Sequence, residues 1–269
     1  MTTTLRNAFL SPGARRFGFR FSLDYLRIST RVARHWGHTG PGEMRLLGNR
    51  VQYPNQSHAV FLLHELFVNL AYGFDVTSAA PRIVDCGANI GMSILFFKLW
   101  APDATIVAIE PDVAAFRYLQ DLVTLNGLRN VELINAAIAR QRGFAAFYTT
   151  SGDAASIASS LQSGWGGAGQ TTVRTLPLSD LIDAPIDFLK LDIEGSEYEA
   201  IDDMESSGRL SSIHAMAVEC HDLTADDGPR LRLLKQLEHA GFGVSTISQD
   251  GRVTVLRAAR ANGAPRGVS

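Results

Sequence analysis

Ile83-Val84-Asp85-Cys86-Gly87-Ala88-Asn89-Ile90-Gly91-Met92-Ser93-Ile94-Leu95-Phe96-Phe97-Lys98 passes from a short apolar run, through a turn bracketed by two glycines, into a longer apolar run. The pattern is that of a strand, a tight loop and a helix. Gly87 and Gly91 stand where the backbone must bend sharply and let a ligand approach without a Cβ in the way. The helix starting near Ile90 aims its free N–H groups back at the loop. The spacing Asp-x-Gly-x-Asn-x-Gly is not the G-x-G-x-x-G of a dinucleotide binder.

The acid at the start of the loop has chemical meaning. A pyrophosphate would be repelled by Asp85, whereas a sulfonium cofactor with an amino-acid tail carries a cationic amine and no phosphate. A second apolar run, Thr105 to Ile109, ends at Glu110-Pro111, 23 positions after Gly87. A carboxylate about 20 residues beyond such a loop is where a nucleoside ribose is held. Asp85, Gly87, Ala88, Asn89, Gly91, Glu110 and Pro111 therefore read as part of an S-adenosylmethionine (SAM) site. Asn135 and Ala136, which end the next strand, are expected along the adenine edge.

Around this centre the periodicity predicts strands at 82–86, 105–110 and 131–136 and helices at 90–100 and 112–126. Such alternation means a parallel sheet covered on both faces. Further strands are expected at 144–149, 171–175, 187–194 and 214–220, with a helix at 227–240. A closing hairpin, 243–248 and 253–258, turns at Gln249-Asp250-Gly251. Residues 58–73 read as one helix carrying Glu65 and Tyr72, with a salt bridge expected for Glu65. The Ser/Gly-rich stretch 150–170, with Trp165, reads as a flap over the substrate pocket.

Net charge is −2 over 269 residues, which gives the whole molecule no electrostatic case for nucleic acid. The first 50 residues differ: nine arginines against Asp24 and Glu43 give +7. Residues 1–20 read as loosely structured and 21–36 as a basic amphipathic helix, either packed on the domain or touching a membrane surface or partner. Cys86 and Cys220, far apart and in strands of one buried sheet, speak against a disulfide framework or a structural zinc. No apolar run approaches the roughly 18 residues of a membrane span. The expected location is the cytoplasm, although an Arg- and Ser-containing, acid-poor start also suits an organellar transit segment. The expected division is a basic extension at 1–55, a cofactor domain at 56–260 and a disordered tail at 261–269.

Ligands of open α/β sheets bind beyond the carboxyl ends of the strands. Those ends carry Asp192 and Glu194 on one strand and Glu219 and His221 on the next. Removing a proton from an alkyl hydroxyl needs a positioned base, and His221 has the suitable unperturbed pKa. Asp192, Glu219 and His221 could instead hold a divalent cation such as magnesium. A third reading has His221 merely capping its strand. Lys190, on the side of its strand that carries Asp192, is expected in an ion pair. The chain lacks the Asn/Asp-Pro-Pro-aromatic run of amino-methylating nucleic-acid enzymes, a Pro-Cys nucleophile, H-E-x-x-H, a P-loop and G-x-S-x-G.

These residues, above all Leu189-Lys190-Leu191-Asp192-Ile193-Glu194-Gly195-Ser196-Glu197 with Glu219-x-His221, resemble the FkbM family of SAM-dependent methyltransferases over roughly residues 58–245. The resemblance implies a Rossmann-like, mostly parallel seven-stranded sheet with an antiparallel C-terminal strand. It also implies O-methylation of a hydroxyl on a sugar, glycolipid or natural product. Asp192, Glu219 and His221 are then the expected catalytic set, with Asp192 also near the cofactor. Methylation of a nucleic acid or protein, an NAD-type oxidoreductase and a non-catalytic SAM-binding module are the alternatives.

Overall fold

The computed structural model describes residues 3–34, 40–149, 160–161, 169–222, 228–251 and 253–261. The expectations for Trp36, for nearly all of the 150–170 flap with Trp165 and for the tail beyond residue 261 lie outside these residues.

Helices α1 (Thr3–Leu10) and α2 (Pro12–Arg34), the latter broken by a kink at Gly18 (φ +72°), open the chain, so the reading of residues 1–20 as loosely structured is corrected. What makes them helical is tertiary: Ala8, Phe21 and Tyr25 are buried, and the Phe17 ring lies tilted 5.7 Å from Phe67 and edge-on 6.1 Å from Phe96. Each aromatic side chain buried this way contributes about 1.5–3 kcal/mol. A hairpin follows, β1 (Gly42–Leu46) and β2 (Asn49–Tyr53). Helix α3 (Gln56–Leu62) is capped by Asn55, whose side chain accepts the His58 N–H.

The single helix expected over 58–73 is interrupted. After α3 the chain widens into a π-helical turn, Leu63–Val68, with Asn69 N–H donating to the His64 carbonyl at 2.9 Å. Wide turns of this kind occur at functional sites because they rotate side chains out of helical register. Here the turn carries Glu65.

Next come β3 (Arg82–Cys86), α4 (Met92–Trp100), β4 (Thr105–Ile109), α5 (Val113–Leu125) and β5 (Val131–Ile134). Asp112 starts α5 by accepting the N–H groups of Ala114 and Ala115 at 2.7 and 2.9 Å. Strands β6 (Ala137–Ile138), β7 (Gly143–Thr149) and β8 (Gly169–Leu176) form a separate three-stranded sheet in the order β6-β8-β7. The segment opened by Pro177 is a short 3-10 turn, Leu178–Leu181. Strand β9 (Ile186–Leu191), α6 (Glu197–Ser206), β10 (Ile213–His221), α7 (Gly228–His239), β11 (Gly243–Asp250) and β12 (Val253–Ala259) complete the fold.

The main sheet has seven strands in the order β11-β12-β10-β9-β3-β4-β5. The pairs among β5, β4, β3, β9 and β10 are parallel, while β12 runs antiparallel to both β10 and β11. This is the sheet expected from the sequence. Alternate residues feed opposite layers. Ile83, Ile106 and Phe188 join α2, α4 and α5, whereas Val84, Val107 and Leu189 join α6 and α7. Both faces are covered, which explains the near-continuous apolar strands. Cys86 and Cys220 are buried free thiols within this sheet. No helix among the described residues is long and apolar enough to cross a membrane.

The chain runs outward from β3 to β5, then returns to β9 on the other side of β3. That reversal leaves a crevice at the carboxyl ends of β3 and β9.

Candidate active site

The loop after β3 is held on three sides. The N–H groups of Gly87 and Ala88 both donate to the Ile109 carbonyl at 2.9 Å, and Asp192 N–H donates to the Cys86 carbonyl at 3.1 Å. Gly87 has φ +88°, and a Cβ there would stand 1.8 Å from the Asp192 carbonyl oxygen. Only glycine allows this approach. Gly91, φ +90°, caps α4.

Glu110, at the end of β4, closes the loop from the far side. One of its oxygens accepts the Asn89 N–H and the other the Asp112 N–H, each at 2.8 Å. Burial pushes its carboxyl up to about 8, against the opposing effect of those two N–H groups. Asn135 donates to the carbonyls of Glu110 and Pro111 at 2.8 and 3.1 Å, fixing the turn beneath them.

A cavity of about 290 Å³ opens at this point. Gly87, Ala88, Asn89, Glu110, Pro111 and Ala136 line one part of it, all of them expected from the sequence. Three expected residues do not line it. Asn135 and Gly91 shape the loop from behind. Asp85 is the larger correction: it is fully buried under the loop, accepting Ser93 Oγ at 2.5 Å and lying 3.4 Å from Lys190 Nζ. Because side chains alternate along β3, the strand's last acid faces α4 and Lys190 rather than a ligand's amine. Burial pushes its carboxyl up, and Lys190 and Ser93 oppose that shift.

The rest of the cavity is built from charge. Lys190 Nζ lies 3.0 Å from Asp192, donates to the Gly87 carbonyl at 2.9 Å and stands 5.1 Å above the Tyr72 ring. The Tyr72 hydroxyl faces three carboxylates: Glu219 at 2.9 Å, Glu65 at 3.4 Å and Asp192 at 3.5 Å. Among the described residues no cation pairs with Glu65, so the expected salt bridge is replaced by this phenol. Burial, with the nearby charges of Glu219 and Asp192, pushes Glu65 up to about 8. Glu219 is pushed up to about 7 by burial and by Asp192.

His221 ends β10 in the same group. Its Nδ1 lies 2.9 Å from Glu197, and its Nε2 lies 3.4 Å from Glu194 and 3.8 Å from Glu219. Burial alone would lower its pKa, but the hydrogen bond and charge of Glu197, with Glu194 and Asp192, carry it up to about 10. Both ring nitrogens face carboxylates, an arrangement that favours the charged imidazole, while burial raises Glu219 into the range of a base at neutral pH.

Glu197 had no role assigned from sequence. It is fully buried at the start of α6 and accepts the N–H groups of Ile193 and Gly195 as well as facing His221. The signal was present in Glu194-Gly195-Ser196-Glu197: an acid three residues beyond another, across a glycine, can fold back onto the turn. Asp192, Glu219 and His221 come together as expected, with potential ligand atoms all within 4.8 Å of one another.

Residues 85–244 match the FkbM methyltransferase domain. The chain is similar to methyltransferase sdnD of Sordaria araneosa, at 25% identity over 219 residues, 70% of this chain and 83% of that protein. It is 32% identical over 81 residues to Methyltransferase 1 of Beauveria bassiana, covering 30% of this chain and 32% of that one. Among solved structures it resembles an FkbM methyltransferase from Methylobacillus flagellatus KT, with a TM-score of 0.50 and 20% identity. That match covers 69% of this chain, which spans 45% of the solved chain, and it speaks for the fold alone.

Proposed function

The chain belongs to the FkbM methyltransferase family, and from that premise we propose that it moves the methyl group of S-adenosylmethionine onto a hydroxyl of a sugar, glycolipid or natural product. The observation that carries this reading is the pairing, within one cavity, of the Glu110-closed loop with the Tyr72–Glu219–His221 cluster. The residues fit the donor. Five carboxyl groups line the cavity (Glu65, Glu110, Asp192, Glu194 and Glu219) beside Lys190 and His221; burial holds Glu65 and Glu110 largely protonated in the empty site, and a cationic guest beside them would favour their charged form. Glu110 keeps lone pairs beyond its two backbone N–H bonds, as a ribose diol requires. Bound there, S-adenosylmethionine would supply a methyl group activated by the positive charge on sulfur.

The remaining work falls to the protein. Glu219 accepts the hydroxyl proton of the acceptor, since its raised pKa makes it a useful base at neutral pH. Tyr72 holds one oxygen of that carboxylate by a 2.9 Å hydrogen bond, His221 stands 3.8 Å from the other, and Glu197 fixes His221. Lys190 holds Asp192 beside the loop. His221 therefore acts as a charged positioning group in place of the base expected from its unperturbed pKa.

A divalent cation at Asp192, Glu219 and His221 is the second reading, because their ligand atoms cluster suitably. We favour the arrangement without it, since Lys190 Nζ already stands 3.0 Å from Asp192. The two buried free thiols suit a reducing compartment such as the cytoplasm. The test is transfer of isotope-labelled methyl from S-adenosylmethionine to a panel of hydroxylated glycans and natural products, with and without EDTA. Label in an alkali-stable ether, retained with EDTA, supports the reading. Label found only in amino-bearing, protein or nucleic-acid acceptors sinks it.

A further inference from the structure

A second cavity of about 540 Å³ lies between α2 and the β1–β2 hairpin. Its charged lining is four arginines, Arg20, Arg27, Arg31 and Arg45, against two carboxylates, Asp24 and Glu43. Both carboxylates are already engaged. Asp24 accepts the Leu47 N–H at 2.8 Å and lies 3.3 Å from Arg27. Glu43 receives Arg50 Nε on both oxygens at 3.2 Å and Arg50 Nη2 at 2.8 Å.

That leaves a surplus of guanidinium. Arg45 stands directly across the hairpin from Arg50, and like charges so placed repel each other. Among the described residues neither Arg45 nor Arg20 lies within ion-pair distance of a carboxylate, although the Arg45 charge helps to lower Glu43, whose oxygens Arg50 occupies. Arg20 lies over Gly48, its Nη2 only 2.4 Å from where a Cβ would stand, so glycine at that position admits the guanidinium to the hairpin's turn. Between the arginines the wall is apolar, with Leu23, Ile28, Met44 and Val60.

We propose that this groove binds a phosphate group, gripped by Arg20 and Arg45. Guanidinium forks match phosphate oxygens in pairs, and an anion between them relieves the crowding of positive charge. The groove shares α3 with the active site: Gln56 and Val60 line the groove, and Phe61 and Leu62 line the active-site cavity. A phosphate-bearing molecule would thus dock one helix away from the methyl-transfer cavity. Its source is a phosphorylated small molecule or a phospholipid headgroup. The inference does not rest on the identity of the methyl donor.

The test uses the full chain at low ionic strength in two arms: calorimetric titration with glycerol phosphate, and cosedimentation with phosphatidylcholine vesicles with and without phosphatidylglycerol. Wild type should bind in at least one arm. The double variant Arg20→Ala/Arg45→Ala, both positions being exposed, should bind about tenfold to a hundredfold more weakly in that arm. Arg20→Lys/Arg45→Lys should lie between them, and each variant's melting curve should match wild type. Binding of glycerol phosphate assigns a soluble ligand; binding only of anionic vesicles assigns a headgroup. Failure in both arms overturns the proposal. So does equal weakening by Arg6→Ala/Arg15→Ala outside the groove, which would mean diffuse basic attraction only.

Discussion

Replacing Lys190 by methionine isolates the charge that holds the active site together. The ammonium is buried and serves Asp85 at 3.4 Å, Asp192 at 3.0 Å and the Gly87 carbonyl at 2.9 Å. Methionine keeps much of the volume over the Tyr72 ring while removing the cation. Asp85, with no exposed surface, then retains only Ser93 as a donor. Breaking a buried pair by removing one partner costs about 3–5 kcal/mol. Unfolding entropy of about 2.1 cal/mol/K per residue, over 269 residues, gives about 0.56 kcal/mol/K. The melting temperature should therefore fall by about 5–9 °C at pH 8. The loss has a pH signature. Without Lys190 the folded-state pKa of Asp85, already raised by burial, rises further, so the folded variant binds a proton that the unfolded chain releases. The deficit should shrink as pH falls towards 5, and Lys190→Met/Asp85→Asn should recover much of it. Scanning calorimetry at both pH values measures this. A deficit under 2 °C, or one equal at both pH values, would refute the claim that Lys190 neutralises the buried acids.

Gly87→Ala puts a Cβ 1.8 Å from the Asp192 carbonyl at φ +88° and should cost about 3 kcal/mol or more, read from urea denaturation. The ligand-free protein should lose stability as pH rises from about 6 to about 9. Glu65 and Glu110 at about 8, Glu219 at about 7 and His221 at about 10 all lie above their ordinary values. The folded state therefore holds more protons than the unfolded, and the slope of stability against pH is negative. A melting temperature that is flat or climbing over that range would contradict these environments, and His221→Gln should flatten the upper part. Glu219→Gln removes the proposed base but keeps an acceptor for Tyr72, so kcat should drop about 10²- to 10⁴-fold with the melting temperature held or slightly raised at pH 8.

What could be read from the chain was what period and spacing encode. Strand β3 falls at 82–86 as expected, the closing hairpin turns where Asp250-Gly251 places it, and Asp192, Glu219 and His221 meet because all three end neighbouring parallel strands. What could not be read depends on partners distant in sequence. The helices at the N-terminus owe their form to Phe67 and Phe96, far along the chain. Strands β7 and β8 look like any others but pair with each other, and β8 with β6, in a sheet apart from the main one. Asp85 has the composition of a ligand contact, yet its direction is set by strand alternation and by Lys190, 105 residues away. His221 has an ordinary pKa on paper, and only the carboxylates of Glu197 and Glu194, distant in sequence, push it upward.

The central claim is that the loop closed by Glu110 is a methyl-donor site. Titration calorimetry with S-adenosylhomocysteine tests it most directly, using wild type, Glu110→Ala and, in parallel, NAD. The geometry predicts binding to wild type, at least a tenfold loss in the variant from the missing carboxylate, and no binding of NAD. Absence of S-adenosylhomocysteine binding, or equal binding to both proteins, would contradict it.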